Sequence, residues 1–358
     1  MGLEKVVVGM SGGVDSAVAA YLLKEAGYEV IGITLRTWQA DDGTEGRCCD
    51  IDDARSVADA LGIRYAPINC TLLFQKSVVD PFTEDYLRGL TPNPCVECNR
   101  YVKWEKLLYY ARVFGAEHIA TGHYASVIRL PNGRYTVRRA ADSAKDQTYM
   151  LYKLTQEQLA ATLMPLGGLS KSEVRRIAEE TGLPVAAKPD SQEVCFVTDG
   201  SYADYIEKTA GAGHPGEGNF VDVSGRIVGR HKGIIHYTVG QRKGLGVSLG
   251  HPVYVREIRP AENEVVLGDE PSLYRRAILC RDVSFMSIAG LKDGESITCT
   301  VKVRYHHGGQ TADIEAADGD RVRVTFREPV RAPAPGQSAV FYDDEGQVVG
   351  GGIISEVE

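Results

Sequence analysis

No stretch of this 358-residue chain approaches the ~20 consecutive apolar residues that a membrane span needs. Its opening residues, Met1-Gly2-Leu3-Glu4-Lys5, lack the basic n-region and apolar h-region of a secretory leader. A cytoplasmic protein is therefore expected. G-x-x-x-x-G-K-[ST] occurs nowhere, which excludes a Walker loop. The absence of G-x-G-x-x-G after the first strand-like run disfavours a dinucleotide fold. Neither a fixed-period repeat nor a low-complexity tract is present. Eight cysteines in a cytosolic chain of this size do not read as a disulfide framework, and no second C-x-x-C completes a four-ligand zinc site.

What is present is ordinary in bulk. Hydrophobic residues make up 43% and charged residues 25%, enough apolar material for a core shared by two or three domains. The net charge of -8 argues against a polyanionic partner. Between Ser224 and Pro260, however, Arg226, Arg230, Lys232, Arg242, Lys243, Arg256 and Arg259 face a single acid, Glu257. A local basic patch of this kind suits a nucleic acid.

Apolar runs over 5–9, Val30–Leu35, Arg64–Ile68 and Glu117–Thr121 predict strands. Helical spacing predicts helices over Asp15–Ala26, Asp50–Leu61 and Tyr101–Phe114, the first two stopped by Gly27 and Gly62. Such alternation implies a parallel sheet covered on both faces. Ser170-Lys171-Ser172-Glu173 is a capping box opening a further helix. After residue 210 the pattern changes. Gly211–Asn219 reads as a linker, and short β-like runs follow: Val253–Val255, Glu264–Leu267, Thr298–Tyr305, Arg321–Phe326 and Ala339–Tyr342. The expectation is an α/β domain over 1–205, a small central domain over 206–274 and a β-barrel over 275–358.

Two segments carry chemistry. The loop Gly9-Met10-Ser11-Gly12-Gly13-Val14-Asp15-Ser16 follows a buried strand and opens a helix. Helix N-termini offer free N–H groups to phosphate, and glycines let the backbone come close. Asp15 is an acceptor only, so Mg²⁺ between it and a phosphate is expected. The S-G-G-x-D-S run resembles the PP-loop of ATP pyrophosphatases, which implies cleavage of ATP between its α and β phosphates and adenylation of a substrate oxygen. The second segment is Thr91-Pro92-Asn93-Pro94-Cys95-Val96-Glu97-Cys98-Asn99. Cys98 is expected at the start of the Tyr101–Phe114 helix, where a helix N-terminus lowers a thiol pKa. Cys95-x-x-Cys98 alone leaves a redox pair, half a metal site and coincidence open. Cys195 follows the polar Lys188-Pro189-Asp190-Ser191-Gln192-Glu193 loop. Cys70, Cys280 and Cys299 read as small buried hydrophobes.

Taken with Thr121-Gly122-His123-Tyr124, Lys145-Asp146-Gln147-Thr148-Tyr149, Cys195-Phe196 and Tyr237-Thr238-Val239-Gly240-Gln241-Arg242-Lys243-Gly244, these segments resemble the tRNA-specific 2-thiouridylases over essentially the whole chain. The resemblance implies a Rossmann-like PP-loop domain with a parallel sheet, followed by a small central tRNA-binding domain and a C-terminal β-barrel. It implies that ATP adenylates the 2-oxo group of the wobble uridine in tRNAs for Lys, Glu and Gln. It implies that Cys195 carries a persulfide from a relay partner. Cys98 would then release the sulfur and pair transiently with Cys195 as a disulfide. ATP contacts would fall on Gly9–Ser16, Leu35 and Gly122. Those to tRNA would fall on Asn93, Pro94, Cys95, His123, Lys145, Asp146, Gln147, Arg304, Tyr305 and Gln337. The family often has Asp where Cys95 stands, so its acid/base role is in doubt here. Three cysteines, Cys95, Cys98 and Cys195, also raise a second mechanism in which they hold a 4Fe–4S cluster whose open iron carries sulfide. Cys48-Cys49 has no firm role beyond a loop near the ATP site or a packing contact. Rival readings are a GMP- or NAD-synthetase-like adenylating enzyme and a binding protein that has lost the chemistry.

Overall fold

The computed structural model describes residues 3–39, 49–189, 194–197 and 200–358. The chain opens with β1 (Lys5–Gly9), α1 (Val14–Glu25), β2 (Glu29–Arg36), α2 (Ile51–Leu61) and β3 (Arg64–Asn69). Asp50 is the N-cap of α2, accepting the Asp53 N–H, rather than its first residue. A helical excursion follows: α3 (Thr71–Phe74), a π-helical turn over Gln75–Val79, and α4 (Asp80–Leu87). Next come α5 (Pro94–Glu97), a second π-helical turn over Cys98–Lys103, and α6 (Trp104–Phe114), then β4 (His118–Thr121). The hairpin β5 (Ala125–Arg129) and β6 (Tyr135–Arg139) precedes α7 (Gln156–Ala160), β7 (Thr162–Leu163) and α8 (Lys171–Glu180). The five-stranded sheet runs β3-β2-β1-β4-β7, and every pairing in it is parallel. All strand C-termini therefore meet along one edge, where open α/β sheets place their ligands.

The central part begins with α9 (Tyr202–Ala210), whose Ile206 and Ala203 are buried. A four-stranded sheet then joins β8 (Gly218–Val221), β9 (Ile227–His231), β10 (Tyr254–Arg259) and β11 (Glu264–Gly268) in the order β10-β11-β8-β9. The expected linker is accordingly shorter than 211–219, because Gly218 and Asn219 already pair with His231 and Arg230. The C-terminal part is a closed barrel of β12 (Tyr274–Phe285), β13 (Ser296–Lys302), β14 (Gln310–Ala317), β15 (Arg321–Arg331), β16 (Ser338–Tyr342) and β17 (Val348–Val357). Closure leaves no unpaired edge strand.

The three parts share packing. One apolar cluster runs from Val7 and Phe74 in the first part through Phe220 and Val265 in the second to Val340 and Tyr342 at the barrel. Polar ties reinforce it. The Arg134 guanidinium donates to the Met286 and Phe285 carbonyls, and the Thr91 N–H donates to the Pro335 carbonyl at 2.8 Å. The barrel thus rests directly against the segment that carries Cys95 and Cys98. No helix of the described residues is long and apolar enough to cross a membrane.

Candidate active site

The Gly-rich loop leaves β1 at the carboxyl edge of the sheet. Gly13 is the N-cap of α1, and its side-chain-free backbone leaves the first-turn N–H groups without an internal cap. Gly12 has φ +76, and a Cβ there would lie 2.5 Å from the Asp50 carbonyl oxygen, so both conformation and space require glycine. Met10 and Val14 are buried and anchor the loop's two ends. The Thr34 hydroxyl donates to the Met10 carbonyl at 2.7 Å. Ser16 turns its hydroxyl back onto the Gly13 carbonyl and accepts the Ser11 N–H, which rigidifies the turn. Gly122, at the end of β4, lies so close that a Cβ would sit 2.7 Å from the Asp15 carbonyl carbon and the Ser16 nitrogen. Leu35 is a buried residue of β2, packed in the core below.

Asp15 is the loop's charged group. Its carboxylate accepts the Tyr124 hydroxyl at 2.7 Å and the Lys171 ammonium at 2.7 and 2.9 Å. A carboxylate oxygen is the ligand type that Mg²⁺ takes, and Asp15 is the residue of the loop that could supply it. Lys188 extends over the same edge and pairs with Asp50 at 2.7 Å and with Asp53. Burial pushes the Asp50 pKa up, but Lys188 and the Asp53 N–H outweigh it and hold the carboxylate below its ordinary range. Lys171 had no role in the sequence reading. Its one local signal is a cation in the first turn of α8, against the helix dipole.

The cysteine segment departs from expectation. Helical structure begins at Pro94, not near Tyr101: Asn93 caps it by accepting the Cys95 N–H at 3.1 Å, and Pro94 takes the first position. Cys95 is therefore the first-turn thiol and is exposed, whereas Cys98 lies a turn deeper and is 7% exposed. A helix dipole acts chiefly within the first turn, so it bears on Cys95 more than on Cys98. Between them, Glu97 accepts from the buried Lys153 ammonium at 2.7 Å, and Lys153 also reaches Asp282 of the barrel at 2.5 Å. Burial alone would lower the Lys153 pKa; Tyr152, Glu97 and Asp282 raise it further than that and keep the ammonium charged.

Cys195 is half-buried against the apolar cluster to which Cys98 belongs. Its neighbour Phe196 is the anchor. The Phe196 ring, 1% exposed, lies 6.2, 5.7, 5.2 and 5.4 Å from the rings of Trp38, Phe74, Phe82 and Tyr205. Residues 190–193, the rest of the Lys188–Cys195 loop, and Cys48 lie outside the described residues. Cys49 is buried, 3.8 Å from the Thr37 hydroxyl, as a packing contact at the start of α2. Cys70, Cys280 and Cys299 are buried as expected, and burial pushes all three thiol pKa values up, that of Cys299 to about 12.

Of the residues expected to meet tRNA, Arg304, Tyr305 and Gln337 lie around Tyr149. Tyr149 donates to the Ser338 carbonyl at 2.8 Å and packs edge-on against Tyr305, with Gln337 3.4 Å from its hydroxyl. The Arg304 guanidinium donates to the Arg331 carbonyl at 3.2 Å. Tyr305 has its pKa raised by burial, then by Asp146 and Cys95, and opposed by Lys145, so these groups lie within electrostatic reach of one another. Asp146, by contrast, is buried and accepts the Thr148 hydroxyl at 2.9 Å, which makes it a brace rather than a surface contact. Gln147 accepts the Tyr124 N–H at 2.9 Å and holds the Thr121–Tyr124 turn. His123 is held there by the Thr121 hydroxyl at 2.9 Å, and burial, with Lys103, lowers its pKa to about 3. The basic patch is also partly neutralised. Arg226, Arg230 and Arg259 pair with Asp222, Glu217 and Glu264, acids just outside the window that defines the patch. Lys232, Arg242 and Lys243 remain exposed.

Comparison with known proteins follows these divisions. Residues 4–199 match the family model described as a tRNA methyl transferase HUP domain, 204–269 the tRNA methyl transferase PRC-barrel domain, and 275–354 the aminomethyltransferase beta-barrel domain. The tRNA-specific 2-thiouridylase MnmA of Lachnoclostridium phytofermentans is 51% identical over 98% of this chain and 99% of its own length. That of Acetivibrio thermocellus is 50% identical over 99% and 100%. Among solved structures, the U34-tRNA thiolase NcsA from Methanococcus maripaludis with its 4Fe–4S cluster is 21% identical, covers 59% of this chain and 67% of its own, and has a TM-score of 0.36. A likeness that shallow carries no argument about a cluster. By fold and by the family models, this is a three-part protein built on a HUP domain. At 51% identity over nearly the full length of both chains, it belongs to the family of tRNA-specific 2-thiouridylases.

Proposed function

We propose that this chain thiolates the 2-oxo position of the wobble uridine in tRNA, in two half-reactions, with the division of labour 1–205, 206–274 and 275–358. The observation that supports the reading is the placement of Cys98 in, and Cys195 against, the apolar cluster that the three parts share, both on the domain that bears the Gly-rich loop. In the first half-reaction, N–H groups of Gly9–Ser16 at the start of α1 receive the ATP phosphates. Mg²⁺ held at Asp15 would neutralise phosphate charge. The uracil O2 attacks the α-phosphorus, and pyrophosphate leaves. The oxygen becomes part of AMP, a far better leaving group than oxide.

In the second half-reaction, the outer sulfur of a Cys195 persulfide bonds to C2, and AMP departs with the C2–O electron pair. The Cys98 thiolate then attacks the Cys195 Sγ. The sulfur stays on the base, and a Cys98–Cys195 disulfide forms, to be reduced by external thiol. A relay protein supplies the persulfide. Arg304, Lys145 and the exposed Lys232, Arg242 and Lys243 suit phosphate, and Tyr305 suits stacking on a base. The tRNAs for Lys, Glu and Gln are the proposed substrates.

The cluster mechanism is not favoured: the thiolase that bears a 4Fe–4S cluster is 21% identical with a TM-score of 0.36 and lends it no support. Mass spectrometry of tRNA from a deletion strain tests the function: 2-thiouridine at the wobble position disappears and returns with the wild-type gene. Cys98→Ser and Cys195→Ser fail to restore it while still binding ATP. Unchanged 2-thiouridine in the deletion strain refutes the assignment.

A further inference from the structure

The loop Gly9–Ser16 contains no lysine or arginine. Backbone N–H groups and a divalent cation can meet a resting triphosphate, but charge grows on the β- and γ-phosphates as pyrophosphate departs. A positioned cation from elsewhere in the chain stabilises that charge best. Lys171 is brought to this point across 156 positions of sequence, with only 12% of its side chain exposed. Its ammonium lies 2.7 and 2.9 Å from the two Asp15 oxygens and 5.9 Å from the centre of the Tyr124 ring. The Tyr124 hydroxyl shares the Asp15 carboxylate at 2.7 Å, and Gly122 removes any side chain from the approach. The backbone of Lys171 is also fixed, its N–H donating to Asp142 at 3.0 Å. Lys188, the other lysine at this edge, is held by Asp50 and Asp53 of α2, to the side of the loop.

We propose that Lys171 is a catalytic residue of the adenylation half-reaction, the cation that holds the β- and γ-phosphates of ATP and the departing pyrophosphate. Its ammonium pairs with the Asp15 carboxylate, the group that would hold Mg²⁺. With ATP bound, the Lys171 ammonium would turn to phosphate oxygens. In the chemical step, the O2–phosphorus bond forms and the bond from the α-phosphorus to the bridging oxygen breaks. The electron pair leaves on pyrophosphate, and Lys171 stays protonated throughout. This deepens the ATP reading of the loop and rests on it.

The test compares ATP and AMP binding to the full-length protein by calorimetry, in the presence of Mg²⁺ and without tRNA. Lys171→Met should weaken ATP about tenfold or more, as expected for loss of a charge-assisted phosphate contact, and leave AMP within about twofold. Lys171→Arg should recover most of the ATP affinity. In single-turnover pyrophosphate release with tRNA, Lys171→Met should lower the rate at saturating ATP about 100-fold, in line with removal of a transition-state donor. Equal weakening of ATP and AMP would mean that Lys171 only shapes the loop through Asp15, and unchanged ATP binding would remove it from the site; either overturns the proposal. A wild-type protein that binds neither nucleotide overturns the ATP reading itself, a distinguishable result.

Discussion

Replacing Phe196 by alanine should release Cys195 without stopping adenylation. Phe196 is buried among four aromatic rings contributed by four separate segments. Truncating a buried phenylalanine typically costs about 3–5 kcal/mol. Phe196 lies in an irregular segment, not in a strand of the sheet. The cheapest response is therefore local undocking, not global unfolding. A loss of about 3 kcal/mol multiplies the undocked population by roughly 100, at 1.4 kcal/mol per factor of ten. Peptide-resolved alkylation measures this directly. The Cys195 peptide of Phe196→Ala should label up to about 100-fold faster than wild type, while the already exposed Cys95 keeps its rate. Thiolation should fall steeply, and pyrophosphate release with tRNA should change little. Phe196→Leu, which retains much of the volume, should lie between. An unchanged Cys195 labelling rate with a large fall in melting temperature would refute the reasoning, because Phe196 would then be a core residue of the whole domain.

Three further outcomes follow from other contacts. Gly122→Ala forces a Cβ to within 2.7 Å of the Asp15 and Ser16 backbone, and overpacking of about 1–3 kcal/mol should weaken ATP binding at least several-fold, as read by calorimetry. Lys153→Met leaves Glu97 and Asp282 facing each other without their shared cation; with both carboxylates partly solvated the cost should be about 1–3 kcal/mol, seen as a lower urea midpoint at neutral pH. His123 is held neutral down to about pH 3 while the unfolded chain protonates near 6.5, so it favours the fold above pH 6.5 and destabilises it progressively as pH falls toward 3. His123→Asn should flatten that acid limb of the urea midpoint, and an unchanged slope would refute the assignment.

What could be read in the sequence is what local chemistry determines. The loop was legible because a short apolar run, a Gly pair and a helical period adjoin one another, and no distant residue is needed to recognise them. The same holds for the parallel order of β1, β2 and β3 and for the capping box of α8. Where opposing local signals competed, the reading slipped. Helical spacing placed the helix start near Tyr101 and Cys98, but Asn93 as cap and Pro94 at the first helical position start the helix early and shift the first-turn thiol to Cys95. Elsewhere the deciding partner is set by the fold of a turn or lies just outside a window. Asp146 is turned inward by Thr148 and the Ala140 N–H, and three of the seven cations of the basic patch pair with Asp222, Glu217 and Glu264.

The two halves of the proposed reaction differ in the same way. The Gly-rich loop is recognisable within eight residues, with Thr34, Asp50 and Gly122 packed against it. The cysteines are placed by tertiary contacts alone. Cys98 is backed by the Lys153 bridge, which joins Glu97 to the barrel, and Cys195 is held by its neighbour's ring in a cage assembled from α3, α4, α9 and the segment after β2. A chain could keep the loop and lose those contacts, and it would then bind ATP without delivering sulfur. Cys98 and Cys195 are therefore expected to respond to changes in the barrel and in α9 that leave the loop untouched. Asp282, which belongs to the barrel, is one residue through which such a change reaches the helix of Cys98, by way of Lys153 and Glu97.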